Sequence, residues 1–140
     1  MLRKNVFVFA VLIFFVMTSA AWAQLKDGLW EMTSRTEIKG MPQQMPSTTF
    51  RQCLTKSDPV PQSQDKSFDC KTTSRKISGD TVTYVVECRG KDGVMVTKGK
   101  NTYTGLSMEG SSETSFKMQG QPEMQMTTKM KGTYIGACPK

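Results

Sequence analysis

Histidine is absent from the 140 residues of this sequence. It is the side chain that most often titrates near neutral pH, and it supplies the base of hydrolytic triads and many ligands of zinc and haem. Its absence excludes His-dependent triads, zinc sites with histidine ligands, and haem held by a proximal histidine.

Motifs that carry other catalytic chemistry are missing as well. No Gly-rich phosphate loop precedes a helix and no nucleophile elbow occurs. The loop acids Asp58, Asp65 and Asp69 do not follow the spacing of an EF-hand, and turn formation explains Asp80 and Asp92. We therefore expect no catalytic residue, no cofactor and no enzymatic activity.

The N-terminal segment has the pattern of a secretory signal peptide. Basic Arg3 and Lys4 precede an apolar stretch over residues 6–17, and small residues flank the end of the segment at Ala23. A membrane span needs ~20 apolar residues, and this stretch is shorter. We expect residues 1–23 to be removed.

Cleavage between Ala23 and Gln24 predicts a single domain over residues 24–140 with no transmembrane segment. The first cysteine is Cys53, far from the cut, so a lipid anchor at the new N-terminus is not expected. The expected location is the periplasm or the medium.

Export favours disulfide bonds, and the spacing of the four cysteines selects one pairing. Cys70 and Cys88 lie nine residues on either side of Gly79, so a β-hairpin that turns there places them opposite each other. A bond between Cys53 and Cys138 follows by elimination. A redox-active pair is not favoured, since there is no C-x-x-C motif.

Apolar and polar residues alternate with a period of two, which is typical of strands with one wet face. Strands are predicted at 30–38, 48–54 and 94–103 and in both arms of the Cys70–Cys88 hairpin. Residues 55–69 are the longest irregular connection. The segment 106–118 is expected to bulge or bend at Gly110.

A closing strand is predicted at 133–138, after a turn at Lys131-Gly132. The total is about seven or eight antiparallel strands, a meander that must curl or fold over to hide its apolar face and its edges. We predict an all-β, strongly curved small barrel or half-barrel with two disulfides. A β-sandwich is the alternative.

The last hairpin carries the most regular pattern in the chain. A turn centred on Gln121 sets Met118 opposite Met124 and Phe116 opposite Met126, so that the methionines share one face. That face is expected to be covered, whereas the opposite face is charged and solvated.

Met118, Met124 and Met126, with Phe116, form a candidate ligand or metal cluster. Thioethers are soft ligands suited to Cu(I), which an exported protein could meet. The simpler interpretation, which we favour, is that flexible methionines fill an irregular core and pack sulfur against Phe116.

Two kinds of partner suit the predicted fold. An incompletely closed barrel could hold an apolar small molecule between Trp30, Ile38, Tyr84, Phe116 and the methionines, unless its own side chains fill it. The basic surface could attract an anionic envelope component, or simply keep the sheet soluble. Nucleic acid is not expected, since no basic-aromatic motif is present. The basic residues in question are Lys71, Arg75, Lys76, Arg89, Lys91, Lys98, Lys100, Lys129 and Lys131.

Short motifs along the mature part resemble the bacterial domain of unknown function 3617 family. That resemblance implies an exported domain without an established activity, and it carries over no catalytic residues. We expect a binding or interaction module, with Cu(I) binding or a purely structural envelope role as alternatives. The motifs are Gly28-Leu29-Trp30-Glu31, Gly40-Met41-Pro42, Gln52-Cys53-Leu54-Thr55, Cys70 with Ser78-Gly79-Asp80 and Cys88, a Met-rich strand, and Gly136-Ala137-Cys138.

Overall fold

The computed structural model describes residues 25–63 and 65–140. The predicted signal peptide and its cut between Ala23 and Gln24 lie outside these residues. Among the described residues no helix is long and apolar enough to span a membrane. The strands are β1 (Gly28–Ile38), β2 (Thr48–Leu54), β3 (Asp69–Ser78), β4 (Thr81–Arg89), β5 (Gly93–Thr104), β6 (Ser107–Met118) and β7 (Met124–Gly136).

All seven strands belong to one antiparallel sheet in the order β2-β1-β7-β6-β5-β4-β3. The meander from β3 to β7 ends beside β1, so the N-terminal hairpin extends the sheet on the C-terminal strand. Edge strands β2 and β3 are not paired with each other, which makes the molecule a curled half-barrel. The predicted all-β half-barrel is confirmed, and the sandwich alternative is not adopted.

The β3–β4 hairpin places Cys70 opposite Cys88, as its spacing predicts. Its turn differs from the symmetric turn on Gly79, because Ser78 pairs with Thr81 across a two-residue turn. A β-bulge at Thr73 adds one residue to β3 and restores the register at the cysteines. Gly79 is suited to this turn, since its φ is 60°.

Gly110 and Gly132, at which the sequence predicts a bulge or bend and a turn, lie instead within continuous strands. The expected bulge at Gly110 is wrong: β6 passes it without a register shift, and a Cβ there would overlap Oδ1 of Asn101. The expected turn at Lys131-Gly132 is also wrong, because β7 continues to Gly136. A Cβ on Gly132 would lie 3.0 Å from Cε of Met108. Both glycines make room for neighbouring side chains.

The register of the last hairpin also differs from the prediction. Phe116, not Met118, lies opposite Met124, and Thr114 lies opposite Met126. The turn is centred on Gly120, whose φ is 75°, rather than on Gln121. The pairing moves by two positions, so every side chain keeps its predicted face.

One face of the sheet, here called the inner face, carries the core at one end of the half-barrel. Trp30 and Tyr103 are completely buried there, with ring centroids 5.6 Å apart in an edge-to-face arrangement. The irregular segment between β2 and β3 covers them, and the Tyr103 hydroxyl donates a hydrogen bond of 2.7 Å to the Pro59 carbonyl. Most of the core residues are apolar: Leu25, Trp30, Met32, Leu54, Val60, Val82, Tyr84, Val86, Cys88, Tyr103 and Met108.

Both predicted disulfides are present in the structure. Cys53–Cys138 ties β2 to the segment after β7, with Cα atoms 5.6 Å apart, and Cys70–Cys88 crosses the β3–β4 hairpin. They span sequence separations of 85 and 18 residues. Loop-closure entropy predicts stabilisation of about 4.6 and about 3 kcal/mol, respectively.

Candidate functional site

The methionine cluster predicted from the last hairpin lies on the inner face, at the end of the half-barrel away from Trp30. Phe116, Met118, Met124 and Met126 are each half-buried. Phe68 covers part of this end, since its ring packs edge-to-face on Phe116 with centroids 6.2 Å apart. The observed register brings Phe116 beside Met124 and leaves Met118 beyond the paired part of β7.

The Cu(I) hypothesis therefore stays a prediction. Met124 and Met126 are neighbours on one face of β7, and Met95 of β5 lies opposite Phe116. Within residues 25–63 and 65–140, no three His, Cys, Asp or Glu side chains gather closely enough to hold a metal ion.

The residues predicted to line an apolar pocket are divided between two environments. Trp30 and Tyr84 belong to the packed core, with 0% and 5% of their surface exposed. Ile38 and Phe116 lie at the half-buried methionine end, and Ile38 and Met126 also line a depression that opens on the opposite face of the sheet. The structure does not bring these four side chains to one continuous cavity.

A depression lies on the opposite face of the sheet, here called the outer face. We name this depression the outer groove. Its volume is about 1030 Å³, which is at the upper end of the range for small-molecule sites. It runs over the ends of β1, β4, β5, β6 and β7 and beneath the segment after β1.

The apolar lining of the outer groove comes from β5, from the segment after β1, and from Ile38 and Met126 at the ends of β1 and β7. Val94 and Val96 point to the outer face because Met95, between them, points to the inner face. Both valines are half-buried. Met41 and Pro42 lie at the rim, and 59% of the Met41 surface is exposed.

The segment that carries Met41 is anchored where it leaves β1. The Lys39 amide donates to the Gln125 carbonyl at 2.9 Å, and the Met41 amide donates to the Ile38 carbonyl at 3.1 Å. A second depression of about 540 Å³ extends between this segment and the β6–β7 turn, beside Pro122. The apolar lining of the outer groove thus adjoins a second opening next to Met41.

Charged side chains of both signs line the rest of the outer groove. Arg89 Nη2 lies 2.6 Å from Glu87 Oε1, and Lys117 Nζ lies 3.8 Å from Glu123 Oε2. Exposed pairs of this kind contribute at most about 1 kcal/mol, so they can open toward a ligand at little cost. The charged lining is balanced: it comprises Glu37, Glu87, Glu113, Glu123, Lys39, Arg89, Lys98 and Lys117.

Sequence reasoning missed the outer groove because it assigned this face to solvent. The signal was nevertheless present in Val94-Met95-Val96, where three consecutive apolar residues break the alternation of a strand with one wet face. Such a run indicates a strand with apolar surface on both faces. The contribution of Met41 and Pro42 depends on how the chain folds back after β1.

These features define a disulfide-linked β half-barrel with a filled inner core and an open outer groove. Residues 25–138 match the family model described as protein of unknown function (DUF3617), and the chain belongs to this family. The resemblance seen in the motifs is thereby confirmed. No curated protein and no solved structure shows a significant match to the chain.

Proposed function

We propose that this protein is a binding module that holds a single-chain amphipathic lipid in its outer groove. The observation that carries the proposal is the half-buried pair Val94 and Val96 between charged walls of both signs. An acyl chain would cover the valines and Met41. A zwitterionic head group would suit walls whose charges balance.

The proposed role is binding rather than catalysis. Four charged groups of the outer groove form two surface pairs, Arg89 with Glu87 and Lys117 with Glu123, and the Ser115 hydroxyl donates a hydrogen bond to Glu123. The Ser115–Glu123 contact is exposed to solvent and the Arg89–Glu87 pair contains no nucleophile, so neither has the shielded nucleophile and base that covalent catalysis uses.

We also propose that the module works outside the cytosol, in the periplasm or the medium. The two disulfides support this location, because thiols in the cytosol are kept reduced. The basic N-terminus followed by an apolar stretch in the sequence supports it as well.

Titration with dodecylphosphocholine below its critical micelle concentration, followed by calorimetry, tests the proposed site. Val96→Glu places a charge against the acyl chain and should weaken binding by about tenfold or more. Val85→Glu is the matched control, because Val85 is a half-buried valine of the outer face that does not line the groove. It should change the affinity by less than about twofold.

Two results would overturn the proposal. One is no binding of dodecylphosphocholine by the unmodified protein, and the other is equal binding by both variants. Trp30 fluorescence during urea unfolding verifies that both variants are folded, since Trp30 is completely buried.

A further inference from the structure

The strand register aligns four cations across the outer face, next to the outer groove but not in its lining. The paired positions form one row that runs perpendicular to the strands, and we name it the basic rung. Its six residues, from β1 to β3, are Arg35, Lys129, Ser111, Lys100, Thr83 and Lys76.

The cations of the basic rung are available to a partner. All six residues of the row are exposed. The ion pairs found in the described part of the chain involve other lysines and arginines, at Arg51, Arg89, Lys117 and Lys131.

Stability does not account for this alignment. Arg35 lies directly opposite Lys129 on the neighbouring strand, and like charges at such positions destabilise a sheet. The row contains no acidic residue that would offset the repulsion. A bound anion would offset it.

The bulge in β3 extends the row to its last cation. Without the bulge, a hairpin turning symmetrically on Gly79 would set Lys76 opposite Val82, on the inner face. The observed register sets Lys76 opposite Thr83 on the outer face. Arg75 points inward instead and donates a hydrogen bond to the Ser57 carbonyl.

The basic rung is long and narrow. Neighbouring strands lie about 4.8 Å apart, so the row from β1 to β3 is about 24 Å long. Neither adjacent row adds net positive charge, since Glu37 and Glu113 accompany Lys98 in one row and Glu109 accompanies Lys131 in the other. A planar anionic membrane would press against these carboxylates, whereas a single anionic chain would not.

The side chains around the basic rung favour a sugar polymer over a nucleic acid. Single-stranded nucleic acids bind by stacking bases on aromatic rings, and neither the basic rung nor its two adjacent rows contains an aromatic residue. Ser111 and Thr83 lie between the cations and offer hydroxyl groups to a polyhydroxylated chain.

We propose that the basic rung binds a linear anionic polysaccharide that lies across the strands. Its acidic groups pair with Arg35, Lys129, Lys100 and Lys76, and its hydroxyls bond to the small polar residues between them. This surface is separate from the outer groove, so it does not depend on lipid binding there.

Calorimetric titration with alginate oligosaccharides at low salt tests the proposal. Lys100→Ser/Lys129→Ser should weaken binding by about tenfold or more and make its salt dependence less steep. The matched control is Lys66→Ser/Lys91→Ser, which removes the same charge from exposed positions outside the sheet. It should weaken binding by less than about threefold.

Equal losses in the two double variants would overturn the proposal, because they would show attraction by net charge alone. Absence of alginate binding by the unmodified protein would overturn it too. The proposal would also be wrong if phosphatidylglycerol vesicles or an oligothymidine bound more strongly than alginate and lost this binding in Lys100→Ser/Lys129→Ser. The basic rung would then be a site for an anionic membrane or for a nucleic acid, respectively. Val96→Glu should leave alginate binding unchanged, which separates this test from that of the outer groove.

Discussion

Individual residues of the inner face explain how a chain this short holds a filled core. Tyr103 shows the principle, since its ring packs against Trp30 and its hydroxyl bonds to the buried Pro59 carbonyl. The hydroxyl thereby fixes the irregular segment over the open side of the sheet. Burial raises the pKa of Tyr103, and it also raises the pKa of Tyr84.

Stability should therefore decline at alkaline pH. The unfolded chain releases the Tyr103 proton near pH 10, whereas the folded protein keeps it to higher pH. The stability that the buried Tyr103 contributes is fully present below about pH 10. It is lost as the pH rises from there through the folded pKa, at up to about 1.4 kcal/mol per pH unit.

Tyr103→Phe removes this titrating group but keeps the ring. Urea unfolding between about pH 9 and about pH 11.5 should show a shallower decline of stability for the variant than for the unmodified protein. The slopes are compared rather than the absolute stabilities, because the variant also loses its bond to Pro59. Parallel declines would show that Tyr103 does not contribute.

For the strands of the sheet, the sequence predicts well which side chains lie on the buried face. It predicts less well which residues lie opposite each other on neighbouring strands. The alternation of Trp30 and Met32 with polar residues identifies the buried face of β1 without reference to tertiary contacts. The register of the turn after β6 is harder to predict. A turn centred on Gly120 and a turn centred on Gln121 place every side chain on the same face, so the alternation does not distinguish them. Gly110 and Gly132 indicate breaks only until Asn101, Met32 and Met108 are seen to occupy the space above them.

The bulge in β3 is expected to protect the edge of the sheet from self-association. β3 is an exposed edge strand, and bulges hinder such edges from pairing with another molecule. Deletion of Thr73 removes the extra residue while Cys70 stays opposite Cys88. The straightened edge should increase self-association, measured by sedimentation as a function of concentration.

Thr73→Ala is the matched control, since it keeps the bulge and changes only the side chain. It should sediment like the unmodified protein. Equal self-association of the deletion variant and the control would contradict a protective role for the bulge.

In the molecule as a whole, the two faces of the sheet differ: one is covered by the core and the other carries the candidate binding surfaces. The inner face and the segment from β2 to β3 form the core, and Cys53–Cys138 ties β2 to the C-terminal segment. The outer face carries the outer groove and the basic rung. The core follows from the sequence pattern, but the outer groove depends on the curl of the sheet, which brings Glu87 and Glu37 to one depression.

Chemical-shift mapping of dodecylphosphocholine on the isotope-labelled, disulfide-bonded protein tests the central claim most directly. If the outer groove is the binding site, the largest amide and methyl shifts should occur at Met41, Val94 and Val96, with small shifts at Met118 and Met130, which lie on the inner face and do not line the groove. Shifts concentrated at those two inner-face methionines, or no saturable shifts at all, would contradict it.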